Sequence, residues 1–333
     1  MKVGLVGCGQ VGRRRAAVVA RAREDTLVIT ADIVLAAAQE VAQQSGCLPV
    51  TDWLEVVARD DVDVIIVATS NEWLAPVAIA ALKHKKHVLL EKPMARTLSE
   101  GQAVLEAANG LTLIKVGFNH RYHPAVSKAH ALVREGAIGE LLFGRCRYGH
   151  GGRPGYDQEW RGDPELSGGG ELLDQGIHVM DLFRWFFGDF QEVCGFTGRY
   201  VWTGKGVEDN GFGVFRTDSG QVASLHVSWN QWKNLFSFEV FGTKGYLVIE
   251  GLGGSYGPER LAFGRRNSQS GPPQEEIFEF ESPDNSWTLE WEEFRSAILE
   301  KRQPLGCGRD GLEALRMVYA LYEAERDRRV VTW

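Results

Sequence analysis

The chain has 333 residues, enough for two domains of ordinary size. With 44% hydrophobic and 24% charged residues it has the make-up of a soluble globular protein, which excludes a disordered chain. A net charge of -7 argues against a general nucleic-acid binder, which would carry a basic face, although a few arginines can still hold a small anion.

The cysteines Cys8, Cys47, Cys146, Cys194 and Cys307 are scattered and nowhere paired as C-x-x-C. Free thiols in a reducing cytosol are expected, and a zinc site is not. The chain enters a strand at its first residues, so no signal peptide is expected. No apolar run reaches the roughly 18 residues of a membrane helix. The expected compartment is the cytoplasm, with no membrane and no nucleic-acid partner.

Residues 2–6 are a short apolar strand and 10–22 a helix; 27–31 is the next strand, and 34–44 is an Ala- and Gln-rich helix. Residues 62–68 are a nearly continuous β-branched run, as a buried parallel strand should be. A helix over 74–84, a strand over 87–90, a helix over 98–108 and a strand over 112–117 continue the alternation. This predicts an α/β Rossmann domain, a doubly wound parallel sheet, over residues 1–118.

Beyond residue 118 the texture changes. A linking helix is expected over 123–135, a strand over 141–148 and a helix over 171–187. Strands follow over 192–199, 211–215, 222–227, 236–241 and 245–249, divided by turns such as Thr217-Asp218-Ser219-Gly220 and Gly242-Thr243-Lys244-Gly245. Residues 255–283, rich in Gly, Pro, Ser and Glu, are expected to loop, and helices over 287–299 and 310–328 close the chain. The prediction for 119–333 is an α+β domain with a large, mainly antiparallel open sheet, serving substrate binding and oligomerisation. Aromatics around 227–232 on such a sheet are covered by helices or used for subunit contact, and a homodimer or homotetramer is expected.

The strongest local motif is Gly7-Cys8-Gly9-Gln10-Val11-Gly12, which fits G-x-G-x-x-G between the first strand and the first helix. Glycines there permit a tight turn and close approach of a pyrophosphate to the helix N-terminus. Asp32 ends the second strand, where an acid can hydrogen-bond the adenosine ribose. A carboxylate repels a 2′-phosphate, and the next residues, Ile33 and Val34, supply no cation, so NAD is favoured over NADP. Arg13, Arg14 and Arg15 are read as a solvated helix face or as phosphate contacts. Thr69, Ser70 and Asn71, after another Rossmann strand, are further cofactor candidates.

From Glu91-Lys92-Pro93 onward the chain resembles the glucose–fructose oxidoreductase / inositol dehydrogenase / MocA family. The resemblance rests on that tripeptide, on Gly117-Phe118-Asn119-His120-Arg121-Tyr122, on Trp160-Arg161-Gly162-Asp163-Pro164, and on Ser167-Gly168-Gly169-Gly170 with Asp174 and His178. It implies a two-domain dehydrogenase with its nicotinamide at the domain junction, and it assigns the family's lysine, aspartate and histidine to Lys92, Asp174 and His178. Glu91, Lys92, Pro93 and Asn119 join the cofactor candidates. One departure is visible: many members carry a histidine three residues past the asparagine of Thr69-Ser70-Asn71, where this chain has Leu74.

The chemistry suits these residues. Alcohol oxidation sends a hydride to nicotinamide while the hydroxyl loses a proton, and a histidine starts near the useful pKa. Asp174 and His178 are four residues apart in the predicted helix and so share a face. His178 is assigned as general acid/base, Asp174 as the group that orients substrate or tunes charge, and Lys92 as the hydrogen-bond donor to the reacting oxygen. The glycines before that helix let backbone and substrate approach closely. No metal is expected, since Asp174 and His178 lack further ligands. Substrate contacts are expected from Lys92, Arg121, Tyr122, His150, Arg153, Tyr156, Trp160, Arg161, Asp174 and His178. His120 and His123 are assigned no role. The resemblance implies a sugar or polyol substrate, and because Arg153 or Arg161 can grip a phosphate or carboxylate, a nucleotide sugar or sugar phosphate stays open. The alternatives are a lyase or glycosidase that uses retained NAD transiently, and a non-catalytic dinucleotide sensor.

Overall fold

A run of β-branched residues with no polar interruption belongs in a sheet covered on both faces, and Val64–Val67 is fully buried. The computed structural model describes every residue except Asn109, Thr203, Lys205 and Ser282. β1 (Lys2–Val6) leads through the glycine loop into α1 (Gln10–Arg21). β2 (Thr26–Ala31), α2 (Leu35–Ser45), β3 (Leu48–Val50) and α3 (Trp53–Val57) follow. Then come β4 (Val64–Val67), α4 (Asn71–Lys83), β5 (His87–Leu90), α5 (Leu98–Ala107) and β6 (Ile114–Val116). The sheet runs β3-β2-β1-β4-β5-β6, and every pairing in it is parallel. Strand order reverses between β1 and β4, which places a crevice at their carboxyl ends, the position where doubly wound folds bind ligands.

The chain divides into two compact units. The first holds Met1–Phe118 together with two later segments, Glu165–Gly168 and Trp287–Leu315. Its core brings Trp291 and Phe294 onto Val3, Val19, Ile66 and Leu89.

The second unit holds Asn119–Pro164, Gly169–Ser286 and Arg316–Trp333. The elements after residue 118 are α6 (Pro124–Arg134), β7 (Leu141–Gly149), α7 (Pro164–Ser167), α8 (Glu171–Asp174), α9 (Gly176–Phe187), β8 (Phe190–Gly198), β9 (Asn210–Thr217), β10 (Val222–Ser228), β11 (Leu235–Gly242), β12 (Gly245–Glu250), β13 (Glu259–Arg265), β14 (Gln274–Phe280), α10 (Ser286–Glu300), α11 (Gly308–Asp327) and β15 (Val331–Thr332). Nine strands form one sheet in the order β14-β13-β12-β11-β7-β10-β9-β8-β15. All pair antiparallel except β7 with β10, which are parallel. α9 covers one face: Phe183 and Phe186 meet Phe238 with ring centroids 5.6 and 5.2 Å apart. Truncating a buried phenylalanine such as Phe238 to alanine costs about 3–5 kcal/mol. The other face leaves Phe143, Phe196 and Val214 exposed.

Two expectations are corrected. The helix over 171–187 is two helices, because the chain breaks at Gln175, whose carbonyl accepts the His178 N–H at 3.0 Å in a tighter turn. Residues 255–283 are not all loop: β13 and β14 lie within them, and Ser282 falls outside the described residues. Among the described residues, no helix is long and apolar enough to cross a membrane.

Candidate active site

In the first unit the expected cofactor residues gather at the carboxyl ends of the parallel strands. Gly7, Gly9, Gln10, Val11 and Gly12 follow β1, Asp32 and Ile33 follow β2, Thr69, Ser70 and Asn71 follow β4, and Glu91, Lys92 and Pro93 follow β5. The loop glycines have distinct tasks. A Cβ on Gly12 would lie 1.9 Å from the Gly7 carbonyl, so this glycine is required by the protein's own packing. A Cβ on Gly9 would meet nothing within 4 Å, so the protein's own packing does not require a glycine there. Beside this opening, α1 presents backbone N–H groups with no side-chain cap. Asp32 accepts the Cys8 N–H at 2.8 Å and the Val34 N–H at 2.9 Å, which pins its carboxylate beside the loop. Burial, with Asp32 nearby, pushes the Cys8 thiol up to about 12, so Cys8 is no nucleophile. A glycine loop open at Gly9, a helix N-terminus and a fixed acid at the end of β2 fit a dinucleotide.

Arg15 does not belong to a solvated face. It is buried, with its guanidinium between Glu91 at 2.6 Å and Glu290 at 2.6 Å. Arg13 stays at the surface near Glu40 at 3.4 Å, and Arg14 lies over the Trp287 ring. Asn71 donates to the Ser167 carbonyl at 2.8 Å, and Leu74 is fully buried. Lys92 is half-buried at the end of β5, and the Lys92–Pro93 bond is cis.

The second unit carries the other candidates. α8 begins where Glu208 accepts N–H bonds from Gly170 at 3.0 Å and Leu172 at 3.1 Å and the Tyr322 hydroxyl at 2.7 Å. A Cβ on Gly170 would lie 1.9 Å from the Glu208 carbonyl oxygen, so this glycine is spent on packing the helix start rather than on substrate approach. Asp174 ends α8, and the buried His178 stands in the first turn of α9. Arg161 reaches Asp174 at 3.8 Å and Glu159 at 3.9 Å while lying over the Trp160 ring. Arg153 forks onto Glu159 at 2.9 and 2.8 Å. Tyr156 is buried, edge-on to Trp229 and His150, and burial raises its hydroxyl pKa.

Other candidates are committed inside the protein. Arg121 is buried in a bidentate pair with Asp181 at 2.8 and 2.6 Å. Tyr122 is buried beside it. Asn119 turns to Ser286 and His120. His120, which carries no expected role, stacks on His178, and Tyr148 holds His120. The position between the asparagine and arginine of Asn119-His120-Arg121 was the one available signal. Among the described residues, no group of three His, Cys, Asp or Glu side chains is placed to hold a metal ion.

Two family models match the chain. One, described as an oxidoreductase family with an NAD-binding Rossmann fold, matches residues 1–120, and the other, the GFO/IDH/MocA C-terminal domain, matches residues 126–248. The chain is similar to a 1,5-anhydro-D-fructose reductase of Ensifer adhaerens, 31% identical across 83% of this chain and 81% of the relative. It is also similar to a levoglucosan dehydrogenase of Pseudarthrobacter phenanthrenivorans, 31% identical across 64% of this chain, an alignment that spans 62% of the relative's length. Among solved structures it is similar to a levoglucosan dehydrogenase in complex with NADH and L-sorbose, with a TM-score of 0.90 and 25% identity over 100% of this chain and 98% of the other.

Proposed function

Because the chain belongs to the GFO/IDH/MocA family of NAD-binding oxidoreductases, we propose that it transfers a hydride between nicotinamide and a hydroxyl- or keto-bearing carbon of a sugar or polyol. The observation that carries this reading is Lys92, a half-buried amine ending β5 on the same sheet edge as the open glycine loop. The dinucleotide, when bound, supplies the hydride acceptor or donor. Gly7, Gly9, Gln10, Val11 and Gly12 hold its phosphates, with Asp32 and Ile33 at the ribose and Thr69, Ser70, Asn71, Glu91, Lys92, Pro93 and Asn119 along the rest. Lys92 donates a hydrogen bond to the reacting oxygen and stabilises negative charge as it develops there. His178 accepts the hydroxyl proton in oxidation and returns it in reduction. Asp174 orients the substrate, with Arg161 balancing its charge.

Asp32 supports NAD over NADP, since its carboxylate opposes a 2′-phosphate and exposed Ile33 and Val34 follow it. The internal pairing of Arg153 and Arg161 supports an uncharged sugar or polyol over a nucleotide sugar. The two relatives are named for levoglucosan and 1,5-anhydro-D-fructose, both uncharged. His150, Tyr156 and Trp160 supply donors and aromatic faces for such a ligand. The exposed apolar face of the nine-stranded sheet supports a homodimer or homotetramer, and a monomeric mass by light scattering would overturn that part. The free cysteines support a cytoplasmic location.

The test is a titration of NAD and NADP followed by a panel of sugars, polyols, sugar phosphates and nucleotide sugars, read at the reduced-nicotinamide absorbance. Wild type should produce the signal, and Lys92→Ala and His178→Ala should lower kcat by about 10²–10⁴. Dinucleotide binding without turnover across the panel would overturn the reading.

A further inference from the structure

In the second unit the imidazoles of His120 and His178 lie face to face, with centroids 3.9 Å apart and planes 23° from parallel. Both rings are buried. His120 comes from the single 3-10 turn Asn119–Tyr122 and His178 from α9, so tertiary folding alone brings them together.

His120 is tethered at both ring nitrogens. Asn119 donates through Nδ2 to Ser286 Oγ at 3.0 Å, leaving its Oδ1 opposite His120 Nδ1 at 3.3 Å. An amide oxygen only accepts, so Nδ1 carries the proton. In the neutral ring Nε2 then accepts from the Tyr148 hydroxyl at 3.1 Å. Tyr148 is in turn hydrogen-bonded to Tyr256, which also bonds Gln175, the residue whose carbonyl receives the His178 N–H. Burial raises the Tyr148 hydroxyl well above its ordinary range and pushes Tyr256 up to about 12, so both phenols keep their protons at neutral pH. The rings of Tyr148, His123 and Phe236 close on His120 with centroids at 5.4, 5.7 and 5.9 Å.

We propose that His120 is a positioning residue for His178: its tethered ring fixes the plane of the His178 imidazole, and its π face stabilises the imidazolium formed when His178 accepts the substrate proton. This rests on the hydride-transfer reading above. In that step the substrate O–H bond breaks, its electron pair stays on oxygen, and a new N–H bond forms on His178, while the two electrons leave carbon with the hydride for nicotinamide. His120 gains and loses nothing. The ring face attracts the new cation, as aromatic faces do. A simple core aromatic would stack as well but would lack the two edge hydrogen bonds that set its plane.

The test uses full-length protein with isotope-labelled histidine, as wild type, His120→Ala, His120→Phe and Tyr148→Phe, with His178→Ala to assign the His178 resonances. The expected result is that His120→Ala moves the His178 ring C–H resonances downfield as the ring current is lost, and that His120→Phe, which keeps a stacking face but neither edge hydrogen bond, restores only part of that shift. In turnover, His120→Ala should lower kcat about tenfold with KM within about twofold, and His120→Phe should recover only part of it. Unchanged His178 resonances in His120→Ala would overturn the proposal whatever happens to kcat, and so would equal kcat losses in the Ala and Phe variants. If His120→Ala fails to fold, Tyr148→Phe decides. Release of Nε2 should then shift the His120 and His178 resonances together, and movement of His120 alone would overturn the proposal. If wild type turns over no substrate, the hydride-transfer reading fails, and the resonances still decide whether His120 orients His178.

Discussion

Arg15 and Glu91 meet inside the first unit, with the guanidinium Nε donating to Oε1 at 2.7 Å. Arg15 lies on the helix that follows the glycine loop, and Glu91 immediately precedes Lys92. One buried ion pair thus joins the segment proposed to hold the pyrophosphate to the segment carrying the proposed catalytic amine. The cluster extends to Glu290, held by Arg15 at 2.6 Å and by Lys115 at 3.2 Å, and Lys115 also donates to the Leu305 carbonyl at 2.6 Å. Two cations face two carboxylates, so the buried charge balances. Gly117 leaves the room for this, since a Cβ there would lie 2.8 Å from Glu91 Oε2.

Removing one member of such a cluster is expected to cost more than the net worth of the pair, because the partners stay buried without compensation. Arg15→Met leaves Glu91 and Glu290 with Lys115 as their remaining cation in the cluster. The expected loss is about 3–5 kcal/mol of unfolding free energy, measured by urea denaturation at neutral pH. A loss below about 1 kcal/mol would mean that Glu91 is held by other contacts.

Gly9→Ala and Gly12→Ala should separate cofactor binding from folding. The Gly12 variant must displace the Gly7 carbonyl, which a Cβ would approach to 1.9 Å, so its thermal midpoint should fall by several degrees. Gly9 has an ordinary helix-entry φ of -68° and open space around its Cβ, so Gly9→Ala should keep its midpoint within about one degree. It should nevertheless weaken dinucleotide binding about tenfold or more in a fluorescence titration, because the added methyl occupies the approach of the phosphates. Unweakened binding in Gly9→Ala would show that the dinucleotide does not lie against this loop.

The extent to which these features were legible follows from where each signal resides. β4 and the glycine loop could be read directly, because a strand buried on both faces is apolar throughout and a phosphate loop needs glycine at fixed spacing. β14 could not: it is an edge strand whose residues are largely exposed, so Gln274–Phe280 carries no apolar alternation and has the composition of a loop. β3 and α3 are too short to establish a period. The break at Gln175 is hidden because apolar residues continue on both sides of it. Arg15 follows two arginines of like propensity, and only Glu91 and Glu290, distant in the chain, distinguish it from Arg13 and Arg14. His120 poses the same problem, since its stack on His178 is a long-range contact with no periodicity to announce it.

Asp32 gives a prediction on cofactor choice. Asp32→Ser removes the charge that opposes a 2′-phosphate and the acceptor expected at the ribose hydroxyls. Binding of NAD should weaken about tenfold or more, in line with the roughly 1.5–3 kcal/mol of a hydrogen bond to a charged group. The ratio of NADP to NAD affinity should rise by at least as much. Because the carboxylate also accepts the Cys8 and Val34 N–H groups, a small loss of stability should accompany the change. Titration of both dinucleotides checks this, and an unchanged ratio would remove Asp32 from cofactor selection.

His130 sets a pH dependence of folding. Its ring stacks on Trp185 with centroids 3.7 Å apart, and burial, with Arg134 and Arg121 nearby, lowers its pKa from 6.5 to about 4. Between those two values the unfolded chain binds a proton at this site and the folded chain does not, so stability falls as pH drops from about 6.5 toward about 4 and the contribution is complete above 6.5. The ring is partly exposed, so solvent screening makes the slope shallower than a fully buried histidine would give. His130→Gln has no proton to bind, and its stability should change less between pH 7 and pH 5 than wild type does in parallel urea denaturations. Equal pH slopes for the two proteins would place the acid sensitivity elsewhere and leave the His130–Trp185 stack a packing contact alone.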